Sequence, residues 1–189
     1  MKLIKNLLKN SKKNTIFTLS EISFLSNILE KDKLYSYLKY AVQKRYLIRI
    51  SRGIYALDDS YDRQEFANKY RSPSYISLYT VLQEKGVVFQ PYSSIYAVSQ
   101  RSEAVEIHHQ EYCYRKIQDI YLLNPLGILN QNGVNKACLE RALCDTVYLD
   151  GAGHFDNLRS VDWNMIKKIY KEVYQNHPAI KDLIRKAQP

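Results

Sequence analysis

Two short β-rich runs, Tyr46–Ile50 and Ile54–Leu57, flank the tripeptide Ser51-Arg52-Gly53. Glycine reaches positive φ without the steric cost a side chain brings, so this spacing predicts a tight hairpin turn. A lone two-stranded hairpin is at best marginally stable in water. It has to be covered, and the residues ahead of it supply the cover. Leu3, Ile4, Leu7 and Leu8 recur at i, i+1, i+4 and i+5, one face of an amphipathic helix. A polar stretch, Asn10–Asn14, and a short extended piece, Thr15–Phe17, follow. Thr18-Leu19-Ser20-Glu21 has the capping-box form, which predicts a second helix to about Ser26 that buries Ile22 and Leu25. Ser26–Glu30 reads as a turn. Asp32 is the expected cap of a third helix, whose inner face carries Leu34, Leu38, Ala41 and Val42.

At 100° per residue, Ser36 and Gln43 fall opposite that apolar face, flanked by Lys33, Lys39 and Tyr40. A helix that presents donors, positive charge and an aromatic ring outward suits a major groove, where side chains read base edges and phosphate contacts set the register. The rival reading of the same face is ordinary solvation. Three helices followed by a hairpin is the order of a winged helix-turn-helix, which is the fold expected for residues 1–60. The hairpin brings Arg49 and Arg52 to or near its tip, and Lys44 lies just ahead of it. The candidate DNA-binding residues are therefore Lys33, Ser36, Lys39, Tyr40, Gln43, Lys44, Arg49 and Arg52. Winged helices also serve as protein–protein modules, so the order of elements alone does not name the partner.

The charge distribution narrows the choice. The chain of 189 residues carries a formal charge of +9. Residues 1–60 hold 12 Lys/Arg against 5 Asp/Glu, whereas residues 61–189 hold 16 against 14. A basic head on a nearly balanced body points to a polyanion as the partner of the head. No apolar run approaches the length of a membrane-spanning helix, and no membrane partner is expected. Lys5 and Lys9 interrupt the apolar start of the chain, so no secretory leader is expected there. Three cysteines, Cys113, Cys138 and Cys144, do not make a disulfide framework and fit a reducing compartment. The expected location is cytoplasmic.

Asp58–Asp62 reads as a connector, and a separate domain is expected over residues 63–189. It starts with a short helix, Arg63–Tyr70, and a second helix over Leu78–Lys85 stopped by Gly86. Short candidate strands follow at Ile95–Val98, Ala104–His108, Tyr112–Lys116, Ile120–Leu123 and Leu126–Leu129, and their intervals predict a small antiparallel sheet. Asn132-Gly133 marks a turn. Val134–Leu149 reads as a long helix, Asp162 as the cap of a further one, and Pro178 as the first turn of a last helix ending near Ala187. The fold class expected is α+β: an N-terminal winged helix-turn-helix and a mixed C-terminal domain.

The motifs of the common catalytic sites are missing: there is no P-loop, G-x-G-x-x-G, G-x-S-x-G or H-E-x-x-H. His108-His109 with Cys113 offers metal-ligand types, but neighbouring strand residues point to opposite faces and no fourth ligand accompanies them, so no metal is expected. Cys138 and Cys144, six apart on a helix, should not share a ligand. Arg141 and Asp145 stand at i, i+4 beside Glu140; a structural pair or a partner surface is expected over a catalytic carboxylate. No catalytic residue and no cofactor is expected.

Ser51-Arg52-Gly53-Ile54-Tyr55-Ala56-Leu57, then Ser74-Tyr75-Ile76-Ser77-Leu78, then Leu139-Glu140-Arg141-Ala142-Leu143-Cys144-Asp145, occur in an order that resembles the AbiEi-type antitoxins, transcriptional regulators of bacterial abortive-infection toxin–antitoxin pairs. The resemblance covers roughly residues 1–150. It implies binding to repeats in the protein's own promoter, repression of that operon, and action against a nucleotidyltransferase-type toxin encoded beside it. The toxin's own motif, a Gly-Ser followed by paired aspartates, is absent, so the chain resembles the antitoxin side. Two other functions fit the residues: a stand-alone winged-helix regulator with a ligand- or partner-sensing second domain, and a nucleic-acid-processing enzyme whose winged helix delivers substrate. The first requires a small-molecule pocket in the second domain, the other a cleft of clustered acidic residues.

Overall fold

The structure is a computed structural model and describes residues 2–10, 14–151, 153 and 155–187. It is mixed α+β and divides into one unit through Tyr70 and a second from Arg71.

The first unit runs α1 (Lys2–Asn10), β1 (Ile16–Thr18), α2 (Leu19–Ser26), α3 (Lys31–Gln43), β2 (Ile48–Ser51), β3 (Ile54–Ala56) and α4 (Arg63–Tyr70). The polar stretch expected between α1 and β1 lies largely outside the described residues, as does the side chain of Leu3. The extended piece around Phe17 becomes an edge of a three-stranded antiparallel sheet in the order β1-β3-β2, with Phe17 and Arg49 both opposite Tyr55. Gly53 takes φ +78 at the β2–β3 turn. Leu7, Phe17, Ile22, Leu34, Leu38, Ala41, Leu47 and Tyr55 form the core, one contribution or more from each of α1, α2, α3 and the sheet.

The capping box forms in full. The Glu21 amide donates to the Thr18 hydroxyl at 3.3 Å, and the Thr18 amide donates to the Glu21 carboxylate at 2.7 Å. Asn27 closes α2 in the left-handed region. Helix α3 begins two residues earlier than its sequence suggests: Glu30, not Asp32, is the N-cap, without a side-chain bond, and Asp32 sits in the first turn. The division after Tyr70 puts α4 with the first unit rather than after a boundary near residue 60. Side-chain contacts made by α4 explain it. Glu65, buried on α4, accepts from the amide and the hydroxyl of Thr15 at 2.7 Å each. Lys69 bridges to Glu21 at 2.9 Å and to Glu65 at 3.1 Å.

The second unit contains β4 (Ser74–Ile76), α5 (Leu78–Glu84), β5 (Ile95–Ser99), β6 (Glu103–Ile107), β7 (Gln110–Lys116), α6 (Asp119–Leu122), β8 (Ile128–Gln131), β9 (Val134–Ala137), α7 (Leu139–Asp150), α8 (Trp163–Glu172) and α9 (Pro178–Ala187). Its sheet has the order β6-β7-β5-β4-β9-β8. The expected antiparallel sheet is thus corrected to a mixed one, since β4 pairs with β9 and β5 with β7 in parallel.

Two local expectations also change. Val134–Ala137 is a strand rather than the start of a helix. Asn132 and Gly133, at φ 50 and 81, form a two-residue turn that pairs Gln131 with Val134, and this hairpin captures the apolar residues that mimic helical spacing. Ile120–Leu123 is no strand: Tyr121 and Leu122 are both buried while Ile120 and Leu123 are exposed, a pairing that alternation forbids and the short helix α6 allows. Gly127 sits against α7, where a Cβ would lie 2.9 Å from that of Arg141, and its carbonyl accepts from the Cys138 amide at 2.7 Å.

Candidate nucleic-acid interface

All eight nominated residues are exposed. Lys33, Ser36, Lys39, Tyr40, Gln43 and Lys44 lie on or just after α3, Arg49 on β2 and Arg52 in the hairpin turn. The exposure of those on α3 follows from the pattern that turns Leu34, Leu38 and Ala41 into the core.

Three of the eight meet in one place. Lys39 and Gln43 from α3 and Arg49 from β2 line a cleft of about 460 Å³, whose floor is made by Leu38, Val42 and Tyr55, with Tyr35 at its wall. A bulge between Arg49 and Ser51 interrupts the β2–β3 register at this point. Bulges bend a strand and re-aim its side chains. Arg49 Nε reaches the Ser51 carbonyl at 3.4 Å, a contact that folds the side chain back toward the turn. Lys44 Nζ lies 5.9 Å from the centre of the Tyr40 ring. Lys33, Ser36, Tyr40, Lys44 and Arg52 are exposed but do not line the cleft.

Sequence reasoning missed Tyr35. Positions 35, 39, 42 and 43 form a stripe at helical spacing that turns toward the hairpin, and a helical wheel centred on Ser36 passes over it. The first unit holds 14 Lys/Arg against 7 Asp/Glu, and the second 14 against 12. The excess of positive charge therefore lies in the unit with the cleft.

The Arg141–Asp145 pair is placed where no substrate reaches it. Both side chains are fully buried. Arg141 Nε donates to Asp145 at 3.1 Å, Nη1 to the carbonyls of Asn124 and Leu126 at 3.3 and 2.8 Å, and Nη2 to the Tyr75 hydroxyl and the Tyr121 carbonyl at 2.9 and 2.5 Å. These five bonds use all five guanidinium N–H groups. Asp145 accepts in addition from Tyr75 at 3.2 Å, from Ser77 at 2.6 Å and from the Tyr174 hydroxyl. Burial alone would lower the pKa of Arg141, but the Asp145 carboxylate, with Tyr75 and Tyr174, outweighs it and the pKa rises. Burial, then Asp145, pushes the Tyr75 and Tyr174 phenols up. The knot ties α7 to β4, to α6 and the loop after it, and to the turn between α8 and α9.

His108 and His109 form the two-residue turn between β6 and β7, at φ 50 and 59, instead of lying in a strand. Among the described residues no group of three or more His, Cys, Asp or Glu is placed to hold a metal ion. Cys138 caps α7 through its sulfur, and burial pushes its thiol up to about 11. Among the described residues no helix is long and apolar enough to cross a membrane. No protein-family model matches this chain, and no curated protein matches it either.

Proposed function

We propose that the unit ending at Tyr70 is a winged helix-turn-helix that binds double-stranded DNA, with α3 in the major groove and the β2–β3 hairpin against the backbone beside it. The observation that carries this reading is the cleft in which Lys39 and Gln43 of α3 meet Arg49 of the hairpin, on the unit that holds most of the excess positive charge. A major groove about 12 Å wide admits one α-helix. On this reading Ser36, Tyr40 and Gln43 read base edges, while Lys33, Lys39, Lys44, Arg49 and Arg52 contact phosphates.

The resemblance in the Arg52-Gly53-Ile54-Tyr55 and Glu140–Asp145 segments supports a narrower role. The protein is an antitoxin that binds repeats in its own promoter, represses that operon and counteracts a nucleotidyltransferase-type toxin. The second unit is then a contact domain without catalysis or cofactor, and the protein works in the cytoplasm, where its promoter lies. The solvent-inaccessible Arg141–Asp145 knot removes that pair from the carboxylates a processing enzyme could use.

Mobility shifts of the full chain on its own promoter fragment test the DNA reading. Binding should weaken steeply with salt, by a slope of about −0.9 in log K against log salt for each phosphate neutralised. A shift that is absent, or insensitive to salt, overturns it. Growth rescue of cells expressing the neighbouring toxin tests the antitoxin role: rescue supports it, and a bound promoter without rescue leaves a repressor alone.

A further inference from the structure

The second unit contains a cavity of about 570 Å³ between the loop that follows α5 and the loop that follows α7. Tyr79, Phe89, Tyr92 and Phe155 supply aromatic walls, and Asp150 and Asp156 supply carboxylates. Among the described residues no lysine or arginine lines it. We propose that this cavity binds a small planar organic cation, such as an amidinium or guanidinium compound. The site is independent of the DNA reading, and a ligand in it would make the second unit a sensing domain rather than a toxin-contact domain alone.

Three features point to a cation. Tyr79 and Tyr92 stack with ring centres 4.7 Å apart, and Tyr96 meets both edge-on at 5.4 and 5.7 Å. Aromatic faces carry negative quadrupole charge and attract cations that lie over them. Phe89 adds a large ring that is 68% exposed. Second, Asp150 is the last residue of the twelve-residue helix α7. A carboxylate at the negative end of a helix dipole is electrostatically unfavourable. Arg115 forms an ion pair with Oδ1 from β7 at 2.7 Å, and Tyr79 donates to Oδ2 at 3.1 Å, so a cation in the cavity would share this carboxylate with Arg115. Burial, and then Asp150, pushes the Tyr79 phenol up to about 12, so it remains a donor at neutral pH. Third, the walls are tied to each other before any ligand arrives. The Phe89 amide donates to Asp156 at 2.7 Å, and the Asp156 amide donates back to the Val87 carbonyl at 3.0 Å. Preformed concave sites of several hundred Å³ with aromatic walls and a few polar groups are the usual form of small-molecule pockets.

Isothermal titration of the full chain with benzamidinium chloride, against neutral benzamide of nearly the same shape, separates charge recognition from stacking. The expected result is saturable binding of one benzamidinium per chain, with benzamide at least tenfold weaker. Tyr92→Leu and Asp150→Asn should each weaken benzamidinium at least tenfold, while Asp182→Asn, on the exposed face of α9, should leave it unchanged. Thermal unfolding reports whether each variant folds; where one does not, the ratio of the two ligands on the unaltered chain decides. Equal binding of benzamide, no saturation in the millimolar range, or the same loss from Asp182→Asn as from Asp150→Asn would overturn the proposal.

Discussion

Replacing Asp145 by alanine should be among the most destabilising single changes in the second unit. The carboxylate accepts from Arg141 Nε, from the hydroxyls of Tyr75 and Ser77, and from that of Tyr174. Alanine leaves the guanidinium buried at zero exposure with its other four N–H bonds intact and no counter-charge. Removing one partner of a buried ion pair typically costs about 3–5 kcal/mol. For a unit of roughly 120 residues, an unfolding entropy of about 2.1 cal/mol/K per residue gives about 0.25 kcal/mol/K, so the melting transition should fall by roughly 12–20 °C.

The companion variant is Arg141→Met combined with Asp145→Leu. Removing both charges relieves the uncompensated guanidinium, but the carbonyls of Tyr121, Asn124 and Leu126 lose their donors, and each orphaned buried acceptor costs about 1–3 kcal/mol. The double variant should therefore stay less stable than the unaltered chain, yet lose less than the two single changes add up to, with a coupling of at least about 2 kcal/mol. Differential scanning calorimetry of the unaltered chain, Arg141→Met, Asp145→Leu and the double variant, with Asp145→Ala beside them, measures this. Costs that simply add, or an Asp145→Ala loss below about 0.5 kcal/mol, the range of ordinary surface changes, would refute the view that this charge pair organises the unit.

Three further outcomes follow from the geometry. Glu21 is held below its usual value of 4.5: burial would raise it, but the Thr18 amide, Lys69 and the Thr18 hydroxyl outweigh that. Its contribution is therefore full above about 4.5 and lost as pH falls through the lower folded value, so the gap in urea midpoint between Glu21→Gln and the unaltered chain should close on acidification; a gap constant with pH would count against it. Burial raises all three thiols, Cys113 with help from Glu111, Cys138 and Cys144, and iodoacetamide at neutral pH should label the native chain slowly and the denatured chain at three sites; rapid native labelling of Cys144 would contradict its burial. On the proposed DNA reading, Gln43→Ala should reduce discrimination between operator and random DNA by roughly 1–3 kcal/mol, whereas Arg52→Ala should weaken both about equally; matching profiles in competition binding would show that α3 is not the reader.

What could be read ahead of the structure was whatever depends on neighbours in sequence. The Thr18–Glu21 box, the apolar stripe Leu34–Leu38–Ala41 and the Gly53 turn are each set by contacts within a few residues, and each formed as its residues suggest. What could not be read depends on distant pairing. Val134–Ala137 has helical spacing in isolation, and only the strands it lies between, β4 and β8, make it a strand. The placement of α4 turns on Thr15, fifty residues from Glu65.

The candidate sites divide along the same line. The outward residues of α3 are legible because a helix wheel is local; the cleft is not, since it needs Arg49 brought back by the hairpin and its bulge. The Arg141–Asp145 pair is visible at i, i+4, but its meaning is not: a solvated helix pair of that spacing contributes about 0.2–0.5 kcal/mol. Tyr75, Ser77 and Tyr174, between 29 and 70 residues from Asp145, turn it into a buried knot in which every guanidinium proton is used. The tyrosines that carry little information one by one thus acquire distinct roles from position alone: Tyr75 and Tyr174 hold a charge inside the core, Tyr79 and Tyr92 wall a cavity, and Tyr35 borders the cleft beneath Lys39 and Arg49.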